Sequence, residues 1–225
     1  MIVDYTGIVI RQTKATGSLR MVQIFTREAG IIDMGTRISE QSKGGGALAI
    51  RPFTYGGYTV RENGSHSSGA DPFRTITQAE TINSHFALGE DEKRFSEASF
   101  TLEFTGKAIP PGINAEPVFD LLVEYLGMIC VRKTDFRLLT IAYMIGIFKE
   151  MGIFPDESSL TGGVLPINMN DDILDVVVYV SEKTLKDMRN LTLKAETEKA
   201  VFRLLMELAR EHLDIGVIKS EHLLD

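Results

Sequence analysis

The sequence predicts an α+β protein with two parts, a β-rich N-terminal part that closes into a five-stranded barrel and an α-helical C-terminal part. Residues 1–80 contain short β-rich runs that are separated by turns carrying Gly and Ser. After Thr77, apolar residues recur at helical spacing instead. The charge also changes sign between the two parts. We therefore predict one domain over residues 1–80 and a second over residues 81–225.

The N-terminal part contains five β-rich runs at the spacing of a small barrel or sandwich, and five strands suit a closed sheet. We predict strands over residues 2–10, 19–26, 31–37, 49–60 and 73–77. The turns between them include the glycine run at residues 44–46 and the Gly- and Ser-rich tip at residues 63–69.

The spacing of apolar residues in the C-terminal part predicts five to seven helices. Three sets of apolar residues each share a helix face: Phe95, Ala98 and Leu102; Val118, Leu122, Tyr125 and Ile129; Val201, Leu205 and Leu208. Residues 138–148 are apolar nearly all round, which is typical of a helix at the centre of a bundle. The prolines at 110 and 111 end one predicted helix, and Ser181 is a candidate N-cap of another.

The charge of the two parts bears on possible partners. The chain of 225 residues has 24 Lys+Arg, 31 Asp+Glu and a net charge of −7. Residues 1–80 carry nine basic and seven acidic side chains, a net charge of +2, whereas the remainder has a net charge of −9. A nucleic acid should therefore be attracted electrostatically to the β-rich part and repelled by the helical part.

Few residues fit a catalytic or metal site. Cys130 is the single cysteine, so no internal disulfide and no structural zinc site are predicted. It lies in an apolar run, which favours a buried inert thiol. The pattern G-x-S-x-G and the phosphate-binding glycine motifs are missing, so a small hydrolase has no supporting motif. We expect neither enzymatic activity nor a cofactor.

Basic and aromatic side chains in the β-rich part form a candidate nucleic-acid surface. A barrel that binds single strands needs cations for phosphates and aromatic faces for bases. The residues that could supply them are Arg11, Lys14, Arg20, Arg37, Lys43, Arg51, Phe53 and Tyr55. A solvated surface with no ligand is the open alternative.

Eight short segments carry a resemblance to a known family. They are GIVIR at 7–11, LRMVQIFTREAG at 19–30, PFT at 52–54, TQAE at 77–80, PVFDLL at 117–122, FRLL at 136–139, VSEKTL at 180–185 and IKSEHLL at 218–224. In order and spacing they resemble the RecO family of bacterial DNA repair proteins, over almost the whole chain.

The resemblance implies an OB-fold followed by a helical domain, and a protein that is not an enzyme. Members of this family bind single- and double-stranded DNA, anneal complementary strands and act with RecR. Together they help to load RecA onto DNA coated by single-stranded-DNA-binding protein during recombination after DNA damage. The resemblance also implies a cytoplasmic, nucleoid-associated location. It places Arg11, Arg20, Arg27 and Arg37 at basic positions of the family's OB domain, and Lys43 in its basic loop.

This chain departs from the family pattern in three ways. Its loop around Lys43 is less basic, and its helical part is acidic. Many members carry four zinc-binding cysteines where this chain has residues 155–166 without cysteine, so we predict a metal-free loop over about 152–172. Within the acidic part, a basic cluster could receive the acidic C-terminal tail of single-stranded-DNA-binding protein, or could simply be a solvated helix end. The cluster consists of Arg132, Lys133, Phe136 and Arg137.

Two functional hypotheses follow. In the first, the protein is a recombination mediator that holds DNA strands through phosphate contacts and stacks bases on Phe53 or Tyr55. In the second, it is an adaptor with little DNA affinity that contacts RecR and the tail of single-stranded-DNA-binding protein. The dependence of DNA affinity on salt separates the two.

Overall fold

The computed structural model describes residues 1–39, 45–63, 73–155 and 171–224. It begins with five strands that close into a barrel in the order β1-β2-β3-β5-β4. The strands are β1 (Ile2–Lys14), β2 (Arg20–Thr26), β3 (Gly30–Thr36), β4 (Tyr55–Asn63) and β5 (Phe73–Asn83). The barrel followed by helices confirms the predicted fold class.

Strand pairing in the barrel is antiparallel except at one seam. β1 pairs with β2 and β4, β2 with β3, and β4 with β5, all antiparallel. β3 and β5 are parallel and pair at Gly35 and Thr75. A bulge in β1 between Val9 and Arg11 shifts the register, so that Gln12 and Lys14 lie on the inward-facing side of the strand.

The barrel interior is filled by alternate residues of all five strands, as the pleat requires. This core consists of Tyr5, Val9, Val22, Ile24, Ile32, Met34, Ile50, Tyr58, Val60 and Ile76. The hydroxyl of Tyr58 donates to the carbonyl of Ala49 at 2.7 Å, so this buried polar group has a partner.

The prediction for the fourth strand was wrong at its start. Helix α1 (Gly46–Ala49) and a turn occupy the first part of the predicted run, and β4 begins only at Tyr55. The reason is local: Phe53 has a φ of 70°, which an extended strand does not permit. The first strand and the fifth are longer than predicted, since β1 ends at Lys14 and β5 at Asn83.

The helices that follow are α2 (Glu92–Ala108), α3 (Glu116–Val131), α4 (Phe136–Glu150), α5 (Asp171–Ser181) and α6 (Ala195–His212), with 3-10 turns at Phe86–Glu90, Leu185–Asn190 and Lys219–Leu224. The central helix is α4, whose buried residues lie all round the helix as its composition predicts. Two details differ. Ser181 ends α5 instead of capping a helix start, and Phe95 is 44% exposed.

Contacts divide the chain into two compact units. Met1–Phe86 and Ile109–Val123 form one, which we call the barrel unit; Ala87–Ala108 and Glu124–Asp225 form the other, the helical unit. The barrel unit therefore includes the first part of α3, where the Phe119 ring packs edge-on against Phe25 at 5.5 Å between centroids. The domain boundary at residue 80 and the metal-free loop stay predictions, and most of that loop lies outside the described residues.

Within the described ranges, the helices are too short or too polar to cross a bilayer.

Gly30 fixes the segment before α3 onto the barrel. Its φ is 72°, and a Cβ at this position would lie 2.0 Å from the carbonyl oxygen of Ile113. The amide of Gly112 donates to the carbonyl of Ile31 at 3.2 Å, beside the same turn. The β2–β3 turn thus tolerates only glycine, for both conformational and steric reasons.

We expect Gly30→Ala to lower the free energy of unfolding by about 3 kcal/mol or more in urea titrations. The left-handed conformation contributes about 1–2 kcal/mol of this and the displaced Ile113 backbone the rest. Gly17→Ala is the matched control, because Gly17 has a φ of 65° and nothing lies within 4 Å of where its Cβ would be. Equal losses in the two variants would contradict the close contact with Ile113.

Candidate nucleic-acid interface

The β1–β2 hairpin brings two predicted cations together at the rim of the barrel. Lys14 lies directly opposite Arg20, and Arg20 lies opposite Thr36 on β3. Arg37 follows Thr36 and is exposed, as Lys14 is. Directly opposed residues have Cβ atoms about 5 Å apart, so Lys14 and Arg20 are neighbouring cations at this end of the barrel.

A row of polar groups crosses the outer face of the same three strands. Arg11 lies opposite Gln23, and Gln23 lies opposite Asp33. The Gln23 amide donates to the Asp33 carboxylate at 3.2 Å. Arg11 is exposed but shares its row with an exposed carboxylate, so this row attracts phosphate less strongly than the rim does.

An aromatic ring that the sequence analysis did not select lies on this face. Phe73, at the start of β5, is 51% exposed. Its ring covers Gly35 of β3, where a Cβ would lie 3.1 Å from Phe73 Cζ and 3.4 Å from Leu19 Cδ1. Phe73 and Leu19 therefore meet above β3, between the β1–β2 turn and the end of β4. In OB-folds this face of strands 2 and 3 is where oligonucleotides bind.

The structure places four other predicted residues away from the rim. Arg27, in the β2–β3 turn, pairs with Glu116 at 2.8 Å and with Asp120 at 2.9 Å. Arg51 is exposed in the turn after α1, and Tyr55 packs against the Phe119 ring at 6.1 Å between centroids. These positions separate them from the Lys14–Arg20 pair. Lys43 lies outside the described residues.

Phe53 is also away from the rim. It is half-buried, and its backbone carbonyl forms a structural hydrogen bond. Its carbonyl oxygen lies 2.7 Å from Nδ1 of His85, a buried residue that also has positive φ. Burial lowers the pKa of His85, although the Phe53 hydrogen bond opposes this. The pair ties the turn before β4 to the chain after β5.

A further cation of the barrel is neutralised by an ion pair. Nε of Arg74 donates to the Glu62 carboxylate at 2.9 Å, and the Tyr5 hydroxyl donates to the same oxygen at 3.1 Å. Burial opposes ionisation of Glu62, but these hydrogen bonds, Arg74 first, lower its pKa below the ordinary value. Arg74 therefore adds little net charge to the outer face.

Comparisons with known proteins agree with this geometry. Residues 1–85 match the family described as Recombination protein O N terminal. The barrel is similar to the N-terminal domain of Recombination protein O. The chain is also 20% identical to "DNA repair protein RecO" of Alkaliphilus metalliredigens over 95% of each chain. The protein of the same name from Bacillus cytotoxicus is 28% identical over 66% of this chain and 57% of that protein. The predicted resemblance to the RecO family is confirmed.

In the helical unit, Arg137 has a structural role. Its guanidinium forms a close ion pair with the buried carboxylate of Glu97 and donates to the Leu224 carbonyl at 2.7 Å. It also lies 4.5 Å from the centroid of the Phe202 ring. Burial raises the pKa of Glu97, while Arg137 and the Thr140 hydroxyl oppose the shift. Arg137 thus joins α2, α4, α6 and the last 3-10 turn.

Arg132 and Phe136 are also parts of the framework. The guanidinium of Arg132 donates to the carbonyl oxygens of Thr134 and Met188, each at 2.7 Å. Phe136 is buried and lies beneath the guanidinium of Arg94. The cluster predicted to receive the partner tail is therefore mostly internal, and Lys133 is its exposed member.

A groove beside this cluster is open to a ligand. It has a volume of about 310 Å³ and lies between the end of α3 and the start of α4. Met128 and Val131 contribute apolar surface, and Val131 is 77% exposed. Lys133 and Arg189 contribute positive charge. Sequence reasoning found Lys133 but missed Arg189, which is distant in the chain.

Metal or nucleophilic chemistry has no structural support in the ranges described above. His, Cys, Asp and Glu side chains form no group of three or more there that could hold a metal ion. Burial raises the pKa of the Cys130 thiol, which disfavours a nucleophilic thiolate.

The free energy of unfolding should distinguish the internal residue Arg137 from the exposed residue Lys133. We expect Arg137→Met to lower the free energy of unfolding by about 3–5 kcal/mol, because it leaves the Glu97 carboxylate buried without its cation. Lys133→Met, the matched control, should change it by less than about 0.5 kcal/mol.

The deficit of Arg137→Met should depend on pH. In the variant, the pKa of Glu97 in the folded state rises further above its value in the unfolded state. The folded state therefore binds a proton more tightly, and the free energy of unfolding falls as the pH rises from the unfolded-state pKa to the folded-state pKa. Urea titrations should therefore show a smaller deficit at pH 5 than at pH 8. A pH-independent deficit would contradict the assignment of the loss to Glu97.

Proposed function

We propose that this protein is a RecO-type recombination mediator in DNA repair, which binds DNA through the barrel and catalyses no chemical step. The observation that carries the proposal is the grouping of cations at one end of the barrel, where Lys14 lies opposite Arg20 and Arg37 follows the end of β3. The exposed ring of Phe73 lies at the same end, on the outer face of β3. The relatives named above support the same role, since each is named as a DNA repair protein.

Phosphate contacts supply the affinity in this proposal. Lys14 and Arg20 hold neighbouring phosphates without reading sequence, and Arg37 extends the contact past the end of β3. Because these contacts use only backbone charge, they serve single and double strands alike. Neutralising phosphates also reduces the repulsion between two complementary strands, which is how the protein would promote annealing.

The acidic C-terminal part confines DNA to this surface. Residues 81–225 carry a net charge of −9, and such a charge repels phosphates over a Debye length of about 8 Å at physiological salt. The basic rim is then the favourable approach for a strand. The partners proposed for the bound complex are RecR and RecA, which would be loaded onto DNA freed from single-stranded-DNA-binding protein.

We expect the variant Lys14→Gln/Arg20→Gln to weaken binding of a fluorescent single-stranded oligonucleotide and to flatten its salt dependence. Each lost phosphate contact should reduce the slope of log affinity against log salt by about 0.7. Strand annealing at low salt should slow in parallel. Arg51→Gln is the matched control, since Arg51 is an exposed cation of the same unit away from the rim. An equal loss in Arg51→Gln would show that the rim is not the site.

The adaptor hypothesis is favoured by one observation. Two arginines of the barrel, Arg27 and Arg74, are committed to ion pairs, and Arg11 shares a row with Asp33. If these losses leave too little positive charge, the wild-type protein will bind oligonucleotides with a salt slope near zero and will not accelerate annealing. That result would replace the mediator with an adaptor that works through protein contacts.

For either role, we propose that the groove at Met128, Val131, Lys133 and Arg189 binds the tail of single-stranded-DNA-binding protein. This tail ends in acidic residues and an apolar C-terminal residue. An apolar floor beside two cations matches that order of groups.

We expect Lys133→Glu/Arg189→Glu to weaken binding of a fluorescent tail peptide by at least about 10-fold in an anisotropy titration, because attraction becomes repulsion at two positions. Arg203→Glu is the control, an exposed charge reversal on α6 outside the groove. Unchanged affinity in the double variant would move the tail to another surface.

A further inference from the structure

We propose that Phe73 is a base-stacking platform and that it makes the barrel surface prefer unpaired bases to duplex. The inference rests on the proposed DNA-binding function, and it assigns to one side chain the part of recognition that phosphate contacts cannot provide.

Gly35 creates the place for the ring. Because this position of β3 has no side chain, the Phe73 ring lies directly over the strand, with Cζ 3.1 Å from where a Cβ would be. Leu19 Cδ1 approaches the same point at 3.4 Å and supports the ring from the side of the β1–β2 turn. About half of the Phe73 side chain stays exposed, so the ring is supported but not covered.

The other described aromatic side chains of the barrel unit are less suited to the task. Tyr5, Phe25, Tyr58 and Phe119 are buried, and Tyr55 packs on Phe119. Phe86 is 69% exposed, but it lies beyond the far end of β5, away from the Lys14–Arg20 rim. Phe53 is half-buried in the turn before β4. Phe73 therefore combines exposure with proximity to the rim cations.

The arrangement suits one nucleotide at a time. Gly35 and Arg37 are two residues apart at the end of β3, and Arg37 is exposed. A strand rises about 3.3 Å per residue, so Arg37 begins about 7 Å from Gly35, which is close enough for a phosphate to contact Arg37 while its base reaches Phe73. A base in a duplex is already stacked on both faces, so only an unpaired base gains this contact.

The test uses oligonucleotides that differ only in their bases. A thymidine oligonucleotide and an abasic oligonucleotide of equal length carry the same phosphates. The wild-type protein should bind the thymidine strand at least about 5-fold more tightly, the lower end of the range for stacking one base on an aromatic ring. Phe73→Leu keeps an apolar contact with Gly35 and Leu19 but lacks the π face, so it should bind both strands equally. Its salt slope and its affinity for duplex should match those of the wild type.

Phe86→Leu is the matched control and should discriminate between the two strands as the wild type does. A second variant gives an optical signal: the chain contains no tryptophan, so Phe73→Trp introduces one fluorophore at the proposed platform. Its fluorescence should be quenched by the thymidine strand and not by the abasic strand, with affinity preserved.

The outcomes separate this inference from the proposed function. If the wild type binds both strands equally, or if Phe73→Leu still discriminates, the stacking role is overturned while phosphate binding stands. If the wild type binds neither strand, the DNA-binding function is overturned, and the stacking role with it.

Discussion

The helical unit depends on one buried ion pair, that of Glu97 and Arg137. A carboxylate is stable in an apolar interior only if a cation and hydrogen bonds replace its water, and here Arg137 and Thr140 do so. The Tyr125 hydroxyl lies 3.0 Å from the Thr140 hydroxyl, which extends the network into α3. Four helices and the final 3-10 turn are thus joined through groups that fit together in one arrangement. A basic residue in the acidic C-terminal part therefore stabilises the helical unit.

The barrel uses its charges in the opposite way. Its core residues are apolar apart from the Tyr5 and Tyr58 hydroxyls, both of which are hydrogen-bonded, and the cations remain on the rim and the outer face. Some of them are neutralised by nearby carboxylates, as Arg27 is by Glu116. The proposed functional surface is therefore a small one, namely a few cations at one end of the barrel and a supported aromatic ring on the outer face at the same end. A small net charge can serve a nucleic-acid protein when strand pairing concentrates it.

Period-two alternation, turn residues and the apolar run of α4 made the barrel and the central helix predictable from sequence. The candidate surface was predictable only in part. Lys14, Arg20 and Arg37 were recognised by residue type, but their proximity depends on strand register, which a one-residue bulge in β1 changes. Arg137 looked like a surface cation because its partner Glu97 is forty residues away. Phe73 looked like an ordinary strand residue in the sequence. Its position follows from Gly35, which has no side chain and so leaves room for the Phe73 ring above β3.

The parallel seam of the barrel has a consequence for folding. It joins Gly35 to Thr75, which are forty positions apart in the sequence, whereas the β1–β2 and β2–β3 hairpins close locally. Closing a long loop costs more entropy before its contacts form, so the seam should be completed late and open first in local fluctuations. Phe73 crosses this seam onto Gly35. A strand bound there would favour the closed barrel by mass action, coupling occupancy of the surface to the integrity of the domain.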